Sequence, residues 1–498
     1  MTQYKSAIYW RLLLLTIALC LMALAAPAQD VKDVFFDSST PATRAHTCYG
    51  DVAGYIYKGI YCYKGIPYAR AARFEEPQEP QAWDGVRSSR WYGYVCPQPR
   101  YQGWRQDENA FFYRWNEGYQ DEDCLRLNIW TPQIAKGSAA DGHAAKRPVL
   151  VWLHGGGYFS GNGQDHPGYD GRNLAEKGDV VVVTFNHRLN CLGYLDLSAF
   201  GKKYAHTGNL GQLDIIAALR WVKKDIAFFG GDPNCVTIFG QSGGGGKVAA
   251  LCCMPEAQGL FQRAMIMSGW GTQAVPREDA RAIGRRTAAL LGLTADNIDS
   301  ICHVPYQALL DAALQALDER QQNRGQKGGL EAAFKPGYIT LGPVQDDEVL
   351  PAVYDGAAPT LSQTVPMIIG STFNEFSCIK EDTAVRSHVL RIASLRAQQP
   401  GAPTFVYRFC YDLPTMDGQF HACHNADIAF FFNNVKLSAP MTGATPEGIR
   451  LGDIMSSYLI NFARTGNPNG KGLPRWEPFS TATEATMLLN DPCILSNK

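Results

Sequence analysis

Gly240-Gln241-Ser242-Gly243-Gly244 stands directly between the apolar run Val236-Thr237-Ile238-Phe239 and Gly245-Gly246-Lys247-Val248-Ala249-Ala250-Leu251, which reads as a helix. A strand that turns into a helix through so short a connection brings the two elements almost into contact. The positions two before and two after the serine therefore have to be small, because side chains there would collide. The turn lifts the Ser242 hydroxyl clear of the backbone, where a base reaches it from one side and a carbonyl from the other. Glycine is abundant, 49 of 498 residues, so the pentapeptide gains its weight from its position between strand and helix.

A second motif lies upstream. The buried-type strand Val149–Leu153 runs into His154-Gly155-Gly156-Gly157-Tyr158. Bare glycine backbone lets amide N–H groups face a substrate oxygen without side chains in the way. In acyl transfer that oxygen becomes negative, and each preorganised donor aimed at it supplies about 3–4 kcal/mol. The expected oxyanion hole is the N–H of Gly156 and Gly157 together with that of Gly243, the residue after the nucleophile. Taken together and in this order, the two motifs indicate an acyl-transfer hydrolase.

Composition narrows the remaining classes. An apolar fraction of 46% over 498 residues supports a large core, and a net charge of −1 gives no basic field for nucleic acid. The 10 histidines and 14 cysteines contain neither Cys-x-x-Cys nor His-Glu-x-x-His, so no metal site is expected. At the N-terminus, Lys5 and Arg11 precede the hydrophobic run Leu12–Ala26, and Ala26-Pro27-Ala28 offers a small-x-small cleavage site. Residues 1–28 are expected to be a signal peptide, with a signal anchor as the alternative. The run is short of the roughly 20 residues of a membrane span, so no stable span is expected in the mature chain. Export would expose the cysteines to an oxidising compartment. Losing Cys20 leaves an odd number, so at least one thiol stays unpaired.

Strand candidates are Val149–Leu153, Val180–Thr184, Val236–Phe239, Ala264–Met267, Val365–Ile369 and Thr404–Phe409. Between the second and third, Leu213, Ile216, Leu219, Val222 and Ile226 repeat at helical spacing within Leu210–Phe229. Buried strands alternating with helices predict an α/β chain whose mostly parallel sheet is covered on both faces. Tyr55–Tyr63 reads as an antiparallel hairpin feeding the sheet edge. No internal repeat or disordered linker divides residues 29–498, which are expected to form a single domain; Gly325–Gly329 reads as a surface loop within it.

A serine hydroxyl needs a base, and the base needs a carboxylate to fix its tautomer. Chain order in this architecture is serine, acid, histidine. That leaves His303, His388, His421 and His424, and many carboxylates, so spacing alone does not choose.

The chain resembles the type-B carboxylesterases of the α/β-hydrolase fold, a family that includes para-nitrobenzyl esterases, cholinesterases and fungal lipases. The resemblance runs from about Thr47 to Pro492. Besides the two glycine motifs it rests on Lys64-Gly65-Ile66-Pro67-Tyr68-Ala69, on Glu122-Asp123-Cys124-Leu125-Arg126-Leu127-Asn128-Ile129-Trp130-Thr131-Pro132, on Gly208–Asp214, on Phe229-Gly230-Gly231-Asp232-Pro233 and on Asn461–Pro468. It implies that Glu375, in Ile369–Glu375, is the acid, with Asp346 and Asp382 the next candidates. It implies that His424, in His424-Asn425-Ala426-Asp427-Ile428-Ala429-Phe430, is the base, with His421 the rival. It also implies a disulfide between Cys96 and Cys124, closing a loop that carries Trp104, Phe111, Phe112, Tyr113, Trp115 and Tyr119; a pair between Cys48 and Cys62 is a weaker expectation. Arg73 with Glu122, and Arg188 with Asp214, fall where the family forms internal ion pairs.

The function implied is an exported serine esterase acting on a small-molecule ester, with no cofactor and no nucleic-acid partner. Lipase, lactonase or amide-hydrolase activity on the same site is the alternative within enzymes, and a non-catalytic binding protein of the neuroligin kind the alternative outside them. Oligomeric state and ester identity are not encoded in these motifs. Two departures stand out. The commonest family elbow is Gly-Glu-Ser-Ala-Gly, and Gln241 and Gly243 replace its acid and alanine. Gln241 removes a negative charge beside the nucleophile, which argues against a cationic substrate. The segment from Glu375 to Phe405 is also shorter than relatives carry, which would thin the wall over the site.

Overall fold

The computed structural model describes residues 31–99, 116, 118–135, 146–269, 274–326, 337–376 and 383–497. The expected signal peptide, Asp382, and most of the aromatic loop between Cys96 and Cys124 lie outside these residues.

A 12-stranded sheet organises the chain. Its strands are β1 (Phe36–Asp37), β2 (Tyr55–Tyr57), β3 (Ile60–Pro67), β4 (Arg126–Thr131), β5 (Arg147–Leu153), β6 (Val181–Phe185), β7 (Gly231–Gln241), β8 (Arg263–Met267), β9 (Met367–Thr372), β10 (Thr404–Phe409), β11 (Thr486–Leu489) and β12 (Ile494–Ser496). Their order is β1-β2-β3-β4-β6-β5-β7-β8-β9-β10-β11-β12. Pairing is antiparallel from β1 to β6, parallel from β6 through β5 to β11, and antiparallel again at β12. This is the mostly parallel sheet, with an antiparallel N-terminal hairpin, of an α/β-hydrolase.

The parallel strands are apolar on both faces because both faces are covered. Along β5, Val149, Val151 and Leu153 join one core with Leu219 and Val222 of α1 (Leu210–Asp225). The alternate residues Leu150 and Trp152 join the other, with Leu451, Met455, Tyr458 and Leu459 of a long C-terminal helix, Pro446–Thr465. The period-two alternation of a strand thus feeds two layers at once. That C-terminal helix is locally well specified. Thr445 accepts from the Gly448 N–H at 3.0 Å, Pro446 occupies the first turn, and Gly466 ends it at φ 78°.

The predicted strands form, with edges moved for identifiable reasons. β9 starts at Met367 and not Val365, since Pro366 has no N–H to give; its carbonyl still accepts from Ala264 at 3.1 Å. β7 begins back at Gly231, with a register shift before Val236 around Asp232-Pro233. The predicted helix Leu210–Phe229 ends at Asp225 and continues as a 3₁₀ turn, Ile226–Phe229.

Both anticipated ion pairs are present. Arg188 Nε and Nη2 donate to the two oxygens of Asp214 at 2.8 and 2.7 Å in full burial. Arg73 Nε donates to both oxygens of Glu122 at 3.1 and 3.0 Å. The Cys96 and Cys124 side chains are free, buried thiols lying near one another, with no disulfide formed between them. Cys48 lies exposed beside Asp225, whereas Cys62 is buried beside Lys64 and Tyr55, so their surroundings do not overlap.

Candidate active site

In the strand order β4-β6-β5-β7, the chain reverses its direction of travel across the sheet around β5. In open α/β sheets the crevice beyond the carboxyl ends of the strands at such a point is where ligands bind. Here β5 delivers His154–Gly157 and β7 delivers Ser242, with Leu153 opposite Gly240 in register. Farther along, Glu375 follows the end of β9, and His424 comes from the excursion after β10.

Ser242 sits at φ 57°, ψ −124°, a strained conformation that neighbouring hydrogen bonds hold in place. Its N–H donates to Met267 O at 2.9 Å, and its carbonyl accepts from the Gly246 N–H at 3.0 Å as α2 (Gly243–Leu251) begins. The close approach inferred from sequence is real. A Cβ on Gly244 would fall 2.0 Å from Leu153 O, and one on Gly243 would fall 1.9 Å from Gly157 O. Gly156 and Gly157 take φ of 86° and 66°, which turns the glycine loop back toward the elbow. The N–H of Gly243 belongs to the first turn of α2, where no intrahelical acceptor exists.

Glu375 and His424 meet. His424 Nδ1 lies 2.5 Å from Glu375 Oε2, with both side chains fully buried. Backbone bonds fix the pair from behind. The His424 N–H donates to Glu375 O at 2.7 Å, the Asn374 N–H donates to Ala422 O at 3.1 Å, and Glu375 Oε1 accepts from the Thr372 N–H at 2.8 Å. The Phe376 ring covers the imidazole at 4.2 Å.

Of the other candidates, His421 has a half-exposed side chain turned to Asp412 at 3.3 Å, and His303 lies exposed. His388 sits on the helix Ala384–Ala397, between β9 and β10. Asp346 is occupied with the Asn209 amide and the N–H groups of Glu348, Val349 and Leu350. Tyr119, the one of the six loop aromatics that lies among the described residues, is exposed.

Two residues already named in the motifs make contacts that sequence reasoning missed. The Gln241 amide nitrogen lies 3.1 Å from His424 Nε2, while the Ser242 hydroxyl makes no hydrogen bond among the described residues. Gln241 Oε1 is buried without a partner among them. The available signal was adjacency, since the residue before the elbow serine ends a strand and can reach across the site. Asp427, three residues after His424, is buried and accepts from Tyr407 Oη at 2.7 Å. Burial, with Glu375 nearby, pushes its carboxyl up to about 7.

Comparison with known proteins places this geometry among relatives. Residues 41–387 and 379–496 match the sequence profile of the carboxylesterase family. The para-nitrobenzyl esterase of Bacillus subtilis (strain 168) is 32% identical, over 91% of this chain and 95% of its own. The phenmedipham hydrolase of Pseudarthrobacter oxydans is 30% identical, over 90% and 95%. Among solved structures, an esterase from anaerobic Clostridium hathewayi that can hydrolyze aliphatic aromatic polyesters superposes with a TM-score of 0.80 at 34% identity, covering 91% of this chain and 95% of that one.

Proposed function

Since the chain belongs to the carboxylesterase family, whose members are serine carboxylic-ester hydrolases, we propose that it hydrolyses carboxylic esters through an acyl-enzyme on Ser242, with His424 as base and Glu375 as acid. The observation that carries this reading is the buried 2.5 Å contact of His424 with Glu375, beside a serine held at φ 57°.

Glu375 fixes the tautomer with Nδ1 protonated, which leaves the Nε2 lone pair for the serine proton. As Ser242 Oγ attacks the ester carbonyl, Nε2 takes that proton, and the N–H groups of Gly156, Gly157 and Gly243 receive the oxyanion. The C–O bond to the alcohol then breaks, and the alcohol leaves with the proton from Nε2. Water repeats the sequence on the acyl-enzyme, releasing the acid and restoring Ser242. In the resting site the Gln241 amide nitrogen lies 3.1 Å from Nε2 and 3.4 Å from Nδ1 of His424, against the ring and off the in-plane direction of the Nε2 lone pair.

A fluorophosphonate probe should label wild type at Ser242 and leave Ser242→Ala unlabelled. The variant should lose about 10⁴-fold or more in kcat with its fold intact. Labelling elsewhere, or an active variant, overturns the assignment. Screening p-nitrobenzyl esters, phenmedipham and an aliphatic–aromatic polyester, substrates named for relatives, then ranks ester classes.

The reading extends to export after cleavage at Ala28. N-terminal sequencing of the secreted chain should begin at Gln29, and a chain retaining Met1 refutes it. Peptide mapping of that chain without reductant tests the Cys96–Cys124 disulfide, which the proximity of the two buried thiols supports.

A further inference from the structure

Beneath the glycine loop lies a buried charge that the proton relay does not use. Lys247, in the second turn of α2, is fully buried, and its Nζ donates to the carbonyl of His154 at 3.0 Å. That carbonyl is the first beyond β5, where the chain bends into Gly155–Gly157. Its direction sets the plane of the peptide that launches the glycine loop. The first turn of α2 touches the same backbone, with Gly244 against Leu153 O and Gly243 against Gly157 O. Lys247 closes this contact one turn farther on, with a side chain where the preceding glycines have none.

Four groups face the ammonium. The rings of His154 and His187 stack at 4.9 Å, and the Tyr158 ring lies 5.7 Å from Nζ. Burial and the nearby Lys247 hold both imidazoles well below the usual histidine range, so neither competes for the positive charge. Asp165 is the counter-charge; its Oδ2 accepts from the Asn162 N–H at 3.0 Å. Burial drives the lysine down to about 7 and Asp165 up to about 7, and each favours the charged form of the other.

We propose that Lys247 is a positioning residue of the oxyanion hole: gripping the His154 carbonyl from the elbow helix, it holds the Gly156 and Gly157 N–H groups on the oxyanion, with Asp165 sustaining its charge. A donor that points a peptide in this way acts on the developing negative oxygen more than on the bound ester. Its removal therefore weakens transition-state binding and leaves ground-state binding nearly unchanged.

The inference rests on the esterase reading above, and the two fail separately. If wild type is neither labelled by fluorophosphonate nor active on any ester, the reading falls before a variant is made, and this inference falls with it. With wild type active, Lys247→Met keeps the length of the stem and removes the donor. Its kcat should fall about 10- to 100-fold with KM within about twofold of wild type, and Ki for a trifluoromethyl ketone, which forms a tetrahedral adduct, should rise in proportion. Lys247→Gln, which keeps a donor without the charge, should recover part of both. A kcat and Ki equal to wild type, or a lower kcat with unchanged Ki, overturns the proposal.

If Lys247→Met does not fold, Asp165→Asn decides. Loss of the counter-charge makes the ammonium easier to deprotonate, so the alkaline fall in kcat should move to lower pH. An alkaline limb identical to wild type overturns the role.

Discussion

At Gly243 the alanine of the commonest family elbow does not fit this backbone, since its Cβ would meet the Gly157 oxygen at 1.9 Å. Gly243→Ala should therefore push the glycine loop away from Ser242. We expect kcat to fall at least about tenfold with little change in KM, and a stability loss of about 1–3 kcal/mol from overpacking. Steady-state kinetics alongside a denaturation curve check both. The serine and the glycine loops are legible in the sequence because their chemistry is local: a strained turn and bare amides need glycine at fixed offsets. Glu375 and His424 are not local, and only the family resemblance singled them out. Gln241 was noticed for the charge it lacks; its reach to Nε2 depends on where the imidazole lies, which one strand end does not reveal.

The segment carrying His424 is pinned to β10 through Tyr407 and Asp427. Asp427 keeps its proton up to about 7 in the folded protein, whereas an unfolded aspartate releases it near 3.9. Between those values the native state binds more protons, so this group's contribution to stability falls as pH rises from about 4 to about 7. Asp427→Asn keeps an acceptor for Tyr407 and abolishes the titration. Relative to wild type, its Tm should improve steadily from pH 4.5 to 7.5, read by calorimetry; a constant difference would refute the assignment. Elements of this kind are partly readable. Apolar runs mark the buried strands, and Pro366 trims one of them. The β4-β6-β5-β7 order is not readable, because the pairing partners are far apart in sequence.

Across the whole molecule, the Arg188–Asp214 pair joins distant parts of the chain. Arg188 Nη1 also donates to Glu75 O at 2.7 Å, so one guanidinium ties the segment after β3 to α1. Removing a partner leaves an uncompensated charge in the interior, which costs about 3–5 kcal/mol. Asp214→Asn should lower stability by about that amount in chemical denaturation at pH 7 while leaving fluorophosphonate labelling intact below the transition.

The run Gly243–Gly246 at the start of α2 bears on how portable the centre is. Each glycine is roughly 1 kcal/mol poorer than alanine as a helix former, so this turn would not persist alone in water. Its shape is imposed by the strands and loops crowding it, which hold the backbone where solvent would let it wander. The nucleophile's pose is thus a collective property: transplanting the pentapeptide to another scaffold would carry the letters across and leave the reactivity behind.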